Sequence, residues 1–253
     1  MSEKIYFPNS KGNKLCGILS NPRIINDWPI VILCHGFTTS KDSLANRRLE
    51  EILNKQNIAT LRIDLFAHGE SEGHFEEITV SEAVDDIINA IKYTQEQGFI
   101  KIGLVGSSFS GIASTIATSK IDCLSLLVLK SPVSNYEEVW RLRRNDEEMR
   151  AWKERGYDFY SNSNWEKRKL NYSFVEDFAN QNAYEVAKSI KIPTLIIHGD
   201  ADITVPIEQS KKLSSILSNW ILEIISGADH KYSRDADFEK MLTLITDFVV
   251  EYI

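Results

Sequence analysis

The stretch IGLVGSSFSGIASTIA, residues 102–117, decides how this chain folds. Its first residues are apolar, as in a buried strand, and its last residues continue as a helix. The pattern therefore predicts a strand, a sharp turn and a helix. Ser108 lies at the apex of the turn. A serine in this local structure is exposed on strained backbone, as a nucleophile requires, so Ser108 is the predicted nucleophile.

The residues beside such a nucleophile must be small, because the helix and the strand approach closely at the turn. Gly106 meets this condition before Ser108, whereas Ser110 stands where the usual Gly-x-Ser-x-Gly pattern has its second glycine. Placing the nucleophile at Ser107 or Ser110 would lose the upstream glycine. The alternative for Ser108 is a helix N-cap, where a serine hydroxyl accepts a backbone hydrogen bond.

Apolar runs recur along the chain, with helix-length amphipathic segments between them. The runs occupy residues 30–34, 58–63, 102–105, 124–129, 194–198 and 220–225. Most are continuously apolar, so we expect a parallel sheet that helices bury on both faces, which is an α/β fold. Residues 4–7 and 14–20 flank a turn and predict an antiparallel hairpin before the first run. Helices are predicted over 43–56, 80–97, a segment that starts at Ser108, 207–217 and 238–252.

A serine hydroxyl is a weak nucleophile that needs an imidazole as base, and the imidazole needs a carboxylate to orient it. His230 follows the last apolar run, and Asp200 and Asp202 follow the run before it. Because the carboxyl ends of parallel strands meet at one edge of a sheet, these side chains should lie near Ser108. The residues alone leave either aspartate as the acid. His198, inside the strand end, is predicted to be structural.

Acyl transfer also needs hydrogen-bond donors for the oxygen that becomes negatively charged, and each donor is worth about 10²–10³ in rate. The backbone N–H of Phe109 follows the nucleophile, and that of Phe37 follows the strand-ending sequence Cys34-His35-Gly36. Glycine at 36 permits the turn that directs the Phe37 N–H into the site. Phe37 and Phe109 are therefore the predicted oxyanion donors, and His35 is predicted to be structural.

Residues 134–190 separate two apolar runs by far more than the roughly 2–6 residues usual in α/β units, which predicts an inserted cap. Within it, residues 137–155 are predicted to form one helix. Four of its aromatic residues are candidates for a substrate pocket: Trp140, Trp152, Tyr160 and Trp165. They either line a pocket for an aromatic or medium acyl chain or pack the cap onto the sheet, because pockets and small cores use the same residues.

Four stretches besides 102–117 match a known group of proteins. They are HGFT at 35–38, LRIDLFAHGESEG at 61–73, HGDAD at 198–202 and GADH at 227–230. With these residues the whole chain resembles the α/β-hydrolase superfamily, and within it the bacterial cinnamoyl or feruloyl esterases and the serine-aminopeptidase-like hydrolases. The order nucleophile, acid, histidine is also that of the superfamily.

The resemblance implies a single α/β-hydrolase domain over residues 1–253, with a mostly parallel eight-stranded sheet and helices on both faces. It places the cap, 134–190, after the sixth strand. It also selects Asp202 over Asp200, because the similar families use the second aspartate of His-Gly-x-x-Asp. One departure besides Ser110 is that the feruloyl esterases tend to have glutamine at position 109, which implies a reshaped acyl pocket here.

The resemblance implies hydrolysis of small carboxylic esters, which Ser108 would carry out through an acyl-enzyme, without a metal or an organic cofactor. An acyltransferase, a thioesterase or a small-peptide aminopeptidase would use the same three residues. A non-catalytic ligand-binding protein of this fold usually lacks one of them, so the intact set disfavours that alternative.

Composition restricts the partners. The chain has 29 basic and 36 acidic residues, a formal charge of −7, and no basic cluster, which disfavours nucleic-acid binding. Its first residues lack a signal-peptide pattern, and no apolar run approaches the roughly 20 residues of a membrane span. The three cysteines are predicted to be reduced. We therefore expect a cytoplasmic protein whose partner is a small-molecule ester, with a homodimer left open.

Overall fold

A large twisted sheet organises the computed structural model, which describes residues 2–22, 28–161 and 167–253. The strands in chain order are β1 (Ser2–Pro8), β2 (Lys14–Ser20), β3 (Ile30–Cys34), β4 (Ala59–Ile63), β5 (Ile102–Ser107), β6 (Leu124–Lys130), β7 (Tyr157–Ser161), β8 (Lys167–Asn171), β9 (Thr194–Gly199) and β10 (Trp220–Ile225). All but β7 and β8 form one eight-stranded sheet, in the order β1-β2-β4-β3-β5-β6-β9-β10. The predicted α/β-hydrolase fold class is confirmed.

The sheet is antiparallel only at its first edge. β1 pairs with β2, and β2 with β4, in antiparallel register, and the other strands are parallel. The turn between β1 and β2 is closed by Asn9, whose side-chain oxygen accepts from the N–H groups of Lys11 and Asn13. The predicted opening hairpin is therefore present. The parallel strands all present their carboxyl ends at the same edge, where the site residues follow them.

Helices cover both faces of the sheet. They are α1 (Leu44–Lys55), α2 (Val80–Glu96), α3 (Phe109–Ser119), α4 (Tyr136–Arg141), α5 (Asp146–Arg155), α6 (Ser173–Phe178), α7 (Ala183–Ala187), α8 (Ile207–Ser214) and α9 (Asp235–Tyr252). Alternate residues of β3 enter different cores: Ile32 packs with α2 and α3, whereas Leu33 packs with α1 and α9. This explains why β3 is continuously apolar and wholly buried.

Two predictions about single elements are wrong. β10 is an edge strand, and of its residues only Ile225 is buried, so its apolar run does not mean burial on both faces. Residues 137–155 do not form one helix, because α4 ends at Arg141 and α5 begins after Asn145. The Asn145 side chain accepts from the backbone of Glu148, and the Glu148 side chain accepts from the Asn145 N–H, so a capping box starts a new helix here.

The segment between β6 and β9 carries α4 to α7 and the small β7–β8 hairpin. Its helices place apolar side chains in the core on the α3 side of the sheet, with Trp140, Trp152 and Phe174 among them. Aromatic rings pack against one another within this segment: the ring centroid of Trp140 lies 5.2 Å from that of Trp152 and 6.4 Å from that of Phe174. The inserted segment therefore packs onto the core on the α3 side of the sheet.

Candidate active site

Ser108 lies between β5 and α3, as the sequence predicts. Its backbone has φ 54° and ψ −109°, a conformation that residues other than glycine rarely adopt. The hydroxyl does not cap α3; it lies 2.9 Å from Nε2 of His230. The backbone N–H of Ser108 donates to the carbonyl of Lys130 at 2.9 Å, which ties the turn to β6. Ser108 therefore occupies the N-cap position of α3, but its hydroxyl does not accept a hydrogen bond from the helix backbone.

Close packing around the turn explains its small residues. A Cβ on Gly106 would lie 2.4 Å from Oγ of Ser114, so no larger residue fits there. Ser110 is fully buried, and its Oγ accepts from the Ser107 N–H at 2.7 Å and lies 2.9 Å from the Cys34 carbonyl, to which it donates. The serine that replaces glycine at 110 therefore fits the turn and links it to the end of β3.

His230 and Asp202 complete a line of hydrogen bonds that starts at Ser108. Nδ1 of His230 lies 2.6 Å from Oδ2 of Asp202, and its other ring nitrogen faces Ser108. Oδ1 of Asp202 accepts from the N–H groups of Thr204 at 2.7 Å and Val205 at 2.9 Å, so the loop after β9 fixes this carboxylate. The structure thus brings together the three residues that the sequence selected.

Asp202 remains ionised in this setting. Burial opposes its charge, but hydrogen bonds from His198 and His230 outweigh that effect and hold its pKa well below the usual range. His198 donates from Nε2 to Asp202 at 3.2 Å, and Ser210 donates its hydroxyl proton to the other ring nitrogen at 2.6 Å. The structural role predicted for His198 thus includes a direct contact with the acid, which the sequence alone did not indicate.

Asp200, the alternative acid, is turned away from the imidazole. Its carboxylate accepts from the Gly227 N–H and from the Ser226 hydroxyl, so it binds the loop that precedes His230. Among the described residues, the carboxylate that contacts the His230 ring belongs to Asp202. The geometry favours Asp202 as the partner of the histidine.

Phe37 and Phe109 flank the nucleophile. A Cβ on Gly36 would lie 3.4 Å from Cβ of Ser108, so the turn that carries Phe37 is packed directly against the serine. Phe109 is the first residue of α3, and N–H groups in the first turn of a helix have no acceptor within the helix. Both residues are therefore placed where their backbone N–H groups could face a substrate oxygen.

Two buried histidines hold the turn at Phe37. Nε2 of His35 accepts from the Leu65 N–H at 3.1 Å, and Nε2 of His68 accepts from the Thr38 N–H at 3.4 Å. Burial lowers the pKa of His35 to about 4 and that of His68 to about 3, so both rings are neutral near pH 7 and can accept. Sequence reasoning missed this role of His68, although the residue belongs to one of the matching stretches.

A narrow apolar pocket opens beside Ser108, with a volume of about 30 Å³. Two of the predicted pocket residues, Trp140 and Tyr160, line it. The other lining residues are Phe37, Ser108, Val133, Tyr136, Val139, Arg143, Phe174, Thr204 and Val205. Four of these, Tyr136, Val139, Arg143 and Phe174, lie within residues 134–190 and were not selected from the sequence, since nothing in their spacing marks them.

The prediction that Trp152 lines the pocket is corrected. Trp152 is fully buried, donates from Nε1 to the Leu170 carbonyl at 3.2 Å and packs behind Trp140, so it belongs to the core of the inserted segment. Trp165 lies outside the described residues.

Across residues 2–22, 28–161 and 167–253, no three His, Cys, Asp or Glu side chains are grouped in a way that could hold a metal ion. The same residues contain no helix long and apolar enough to cross a bilayer.

Comparisons with known proteins give a family model and a similar solved structure. A family model described as serine aminopeptidase, S33, matches residues 28–237. A solved structure of Est1E from Butyrivibrio proteoclasticus with bound ferulic acid superposes with a TM-score of 0.83, at 26% identity over 98% of each chain.

Two curated proteins also match at lower identity. The bifunctional esterase/perhydrolase DCH of Acinetobacter calcoaceticus is 24% identical over 81% of this chain and 86% of its own. The mitochondrial palmitoyl-protein thioesterase ABHD10 of Bos taurus is 22% identical over 91% of this chain and 76% of its own.

Proposed function

Because this chain belongs to the serine aminopeptidase (S33) family of α/β hydrolases, we propose that it is an esterase that cleaves small carboxylic esters through an acyl-enzyme on Ser108. One observation carries the proposal: the line of hydrogen bonds from Ser108 through His230 to Asp202, of 2.9 and 2.6 Å. Hydrogen bonds of these lengths connect a nucleophile to its base and the base to its carboxylate.

The first half of the cycle acylates the enzyme. His230 accepts the hydroxyl proton at Nε2 while Oγ of Ser108 attacks the ester carbonyl, and Asp202 stabilises the imidazolium that forms. The carbonyl oxygen becomes negatively charged and accepts from the N–H groups of Phe37 and Phe109. The tetrahedral intermediate then collapses, the bond to the alcohol oxygen breaks, and His230 returns the proton to that oxygen.

The second half releases the acid. Water loses a proton to His230 as its oxygen attacks the acyl carbon, and the bond to Oγ of Ser108 breaks as the proton passes back to Oγ. The carboxylic acid leaves, and the serine and the neutral imidazole are regenerated. Each step uses residues of this chain and water.

The size of the pocket favours short acyl groups. A volume of about 30 Å³ beside Ser108 compares with the roughly 10–15 Å³ that a single water needs, so it has room for a short alkyl group. Bound ferulic acid in the Est1E structure and the esterase name of the Acinetobacter protein support ester hydrolysis as the reaction. The palmitoyl group in the name of the bovine thioesterase is longer than this pocket alone can enclose.

A panel of substrates tests the proposed reaction. Among uncharged acyl groups, we expect kcat/KM to be highest for acetate and propionate esters and to decline toward hexanoate and hydroxycinnamate esters, because a longer apolar chain must extend out of the narrow apolar pocket. An acetyl thioester and an aminoacyl amide complete the panel. Faster cleavage of the amide than of every ester would identify a peptidase and contradict the proposal, and faster acyl transfer to an added alcohol than to water would identify a transferase.

The chain offers a matched pair of valines for this experiment. Val139→Ala removes two methyl groups from the pocket lining and is expected to shift the preference toward longer acyl chains. Val186→Ala makes the same change at a half-buried residue of α7 that packs on the same core but does not line the pocket. A shift of equal size in both variants would show that the pocket does not select the acyl group.

Activity at acidic pH depends on His230, because only the neutral imidazole accepts the proton of Ser108. Burial lowers its pKa below the ordinary 6.5; Asp202 opposes the shift, and the charge of Lys130 adds to it. Protonation at lower pH removes the base, so kcat/KM is expected to fall on the acid side with a midpoint below 6.5. A midpoint above that value would contradict this assignment of the base.

Folding must be followed in the same titration. Buried His35 and His68 resist protonation, whereas the unfolded chain takes up protons at its histidines below about pH 6.5. The free energy of unfolding therefore declines as the pH falls below about 6.5. Circular dichroism at each pH separates loss of the base from loss of the fold.

A further inference from the structure

A second, wider cavity adjoins the narrow pocket. Its volume is about 310 Å³, and its described lining residues are Trp140, Arg143, Arg144, Glu148, Phe159 and Tyr160. Three of them, Trp140, Arg143 and Tyr160, also line the pocket beside Ser108. A substrate whose reacting carbonyl lies at Ser108 can therefore extend past these three side chains into the wider cavity.

The guanidinium of Arg143 retains free donors at this junction. One of its nitrogens donates to the Thr204 carbonyl at 2.9 Å, and no ion pair joins it to a carboxylate within the described parts of the chain. A guanidinium has five N–H donors, so most of them stay available. The neighbouring Arg144 differs, because it forms an ion pair with Asp158.

Of the two arginines that line the wider cavity in the described structure, Arg143 is the one without a carboxylate partner. Glu148, the acidic residue of the wider cavity, uses a carboxylate oxygen to accept from the Asn145 N–H at 2.9 Å. The charge of Arg143 also acts on the buried phenol of Tyr136, which lines the narrow pocket: burial raises the pKa of Tyr136, and Arg143 opposes the rise. Thr204, which holds Arg143, is also fixed by the carboxylate of Asp202.

We infer that Arg143 binds a carboxylate of the substrate, so that the enzyme prefers small esters bearing a second, anionic group a few carbons from the reacting carbonyl. The inference rests on the proposed esterase function. A guanidinium matches a carboxylate with two parallel hydrogen bonds, a geometry that a neutral amide cannot reproduce. The contact with Thr204 holds the side chain at the entrance to the narrow pocket.

Matched esters test the inference directly. Monomethyl glutarate and the methyl ester of glutaric acid monoamide differ only in the charge of the remote group on the acyl side. Acetylated glycolic acid and acetylated glycolamide place the same difference on the alcohol side. We expect the wild type to prefer the anionic member of one pair by roughly fivefold in kcat/KM, mainly through a lower KM, as for a charge-assisted hydrogen bond on an exposed residue.

Arg143→Met is expected to abolish this preference, and Arg143→Lys to keep part of it, because an ammonium keeps the charge but not the planar pair of donors. Arg150→Met is the control. It removes an exposed arginine of α5 that lines neither cavity, and it should leave the preference at the wild-type value. An equal rate for charged and neutral members of both pairs in the wild type, or a preference that survives in Arg143→Met, would overturn the inference.

A binding measurement separates this inference from the proposed reaction. Monomethyl glutarate and the methyl ester of glutaric acid monoamide can be titrated against the tryptophan fluorescence of the Ser108→Ala variant, because Trp140 lines both cavities. Tighter binding of monomethyl glutarate that is lost with Arg143→Met would support the carboxylate site even if no ester is cleaved. Equal binding of the two compounds would overturn the site even if Ser108-dependent hydrolysis is found.

Discussion

Replacing Ser108 with alanine is expected to lower kcat for ester hydrolysis by about 10⁶-fold. The substitution removes the Oγ atom that lies 2.9 Å from His230, and no other hydroxyl is hydrogen-bonded to this imidazole in the described residues. The remaining donors and the pocket still bind substrate, so the loss should appear in kcat. Initial rates with an acetate ester and a sensitive assay of the acid product measure it.

The neighbouring Ser107 provides the matched control. Ser107→Ala removes a hydroxyl from the same turn while Ser108 keeps its contact with His230. We expect this variant to retain activity within about tenfold of the wild type, since the Ser107 backbone rather than its hydroxyl binds Ser110. Equal losses in the two serine variants would point to a damaged turn, and full activity in Ser108→Ala would exclude the acyl-enzyme on that residue.

Asp202→Asn is expected to reduce kcat by about 10⁴-fold, the effect of making the equivalent change in other hydrolases with this arrangement. The carboxylate accepts from Nδ1 of His230 at 2.6 Å and so sets the tautomer in which Nε2 faces Ser108. An amide lacks the negative charge that stabilises the imidazolium. Its NH₂ group would also favour the other tautomer, which presents N–H rather than a lone pair to the serine.

Asp200→Asn is the matched control for the acid. Asp200 binds the loop at Gly227 and Ser226, and an asparagine oxygen can still accept those hydrogen bonds. A loss of less than about tenfold is expected, because only the positioning of the loop is affected. The reverse ranking of the two variants would make Asp200 the acid. Thermal unfolding of both proteins distinguishes a chemical effect from a folding defect.

Much of the fold and the candidate triad could be predicted because local patterns encode them. The strand, turn and helix around Ser108 form a contiguous stretch, and His230 and Asp202 each follow a strand of the same parallel sheet. Parallel strands bring such loops to one edge whatever the details of packing. The order of strands could not show whether Asp200 or Asp202 contacts His230, because both follow β9 and the choice depends on the direction of each carboxylate within one loop.

The pocket could not be predicted because it depends on contacts between distant residues. Trp140 and Trp152 are both aromatic residues of the inserted segment, yet one lines the pocket and the other is buried behind it. Arg143 is one of two arginines between α4 and α5, and its position relative to Thr204 brings it to the pocket. Side-chain direction at such positions is set by tertiary packing, which no periodicity in the sequence records.

Two errors at the level of single elements have the same origin. The apolar run of β10 matches a central strand in composition, but its place at the edge of the sheet leaves most of it exposed. The charged residues around Asn145 predict one continuous helix, but the capping box of Asn145 and Glu148 begins a separate helix, α5. Ser110 shows the opposite case: it departs from the family pattern, yet its buried hydroxyl satisfies the turn that glycine usually forms.

Covalent labelling tests whether Ser108 carries the acyl group. The protein is treated with a fluorophosphonate, which reacts with activated serine hydroxyls, and digested, and the modified residue is found by peptide mass spectrometry. We expect a single adduct on Ser108 that is absent in Ser108→Ala and strongly reduced in Asp202→Asn. An adduct on another serine, or no adduct in a protein that hydrolyses esters, would contradict it.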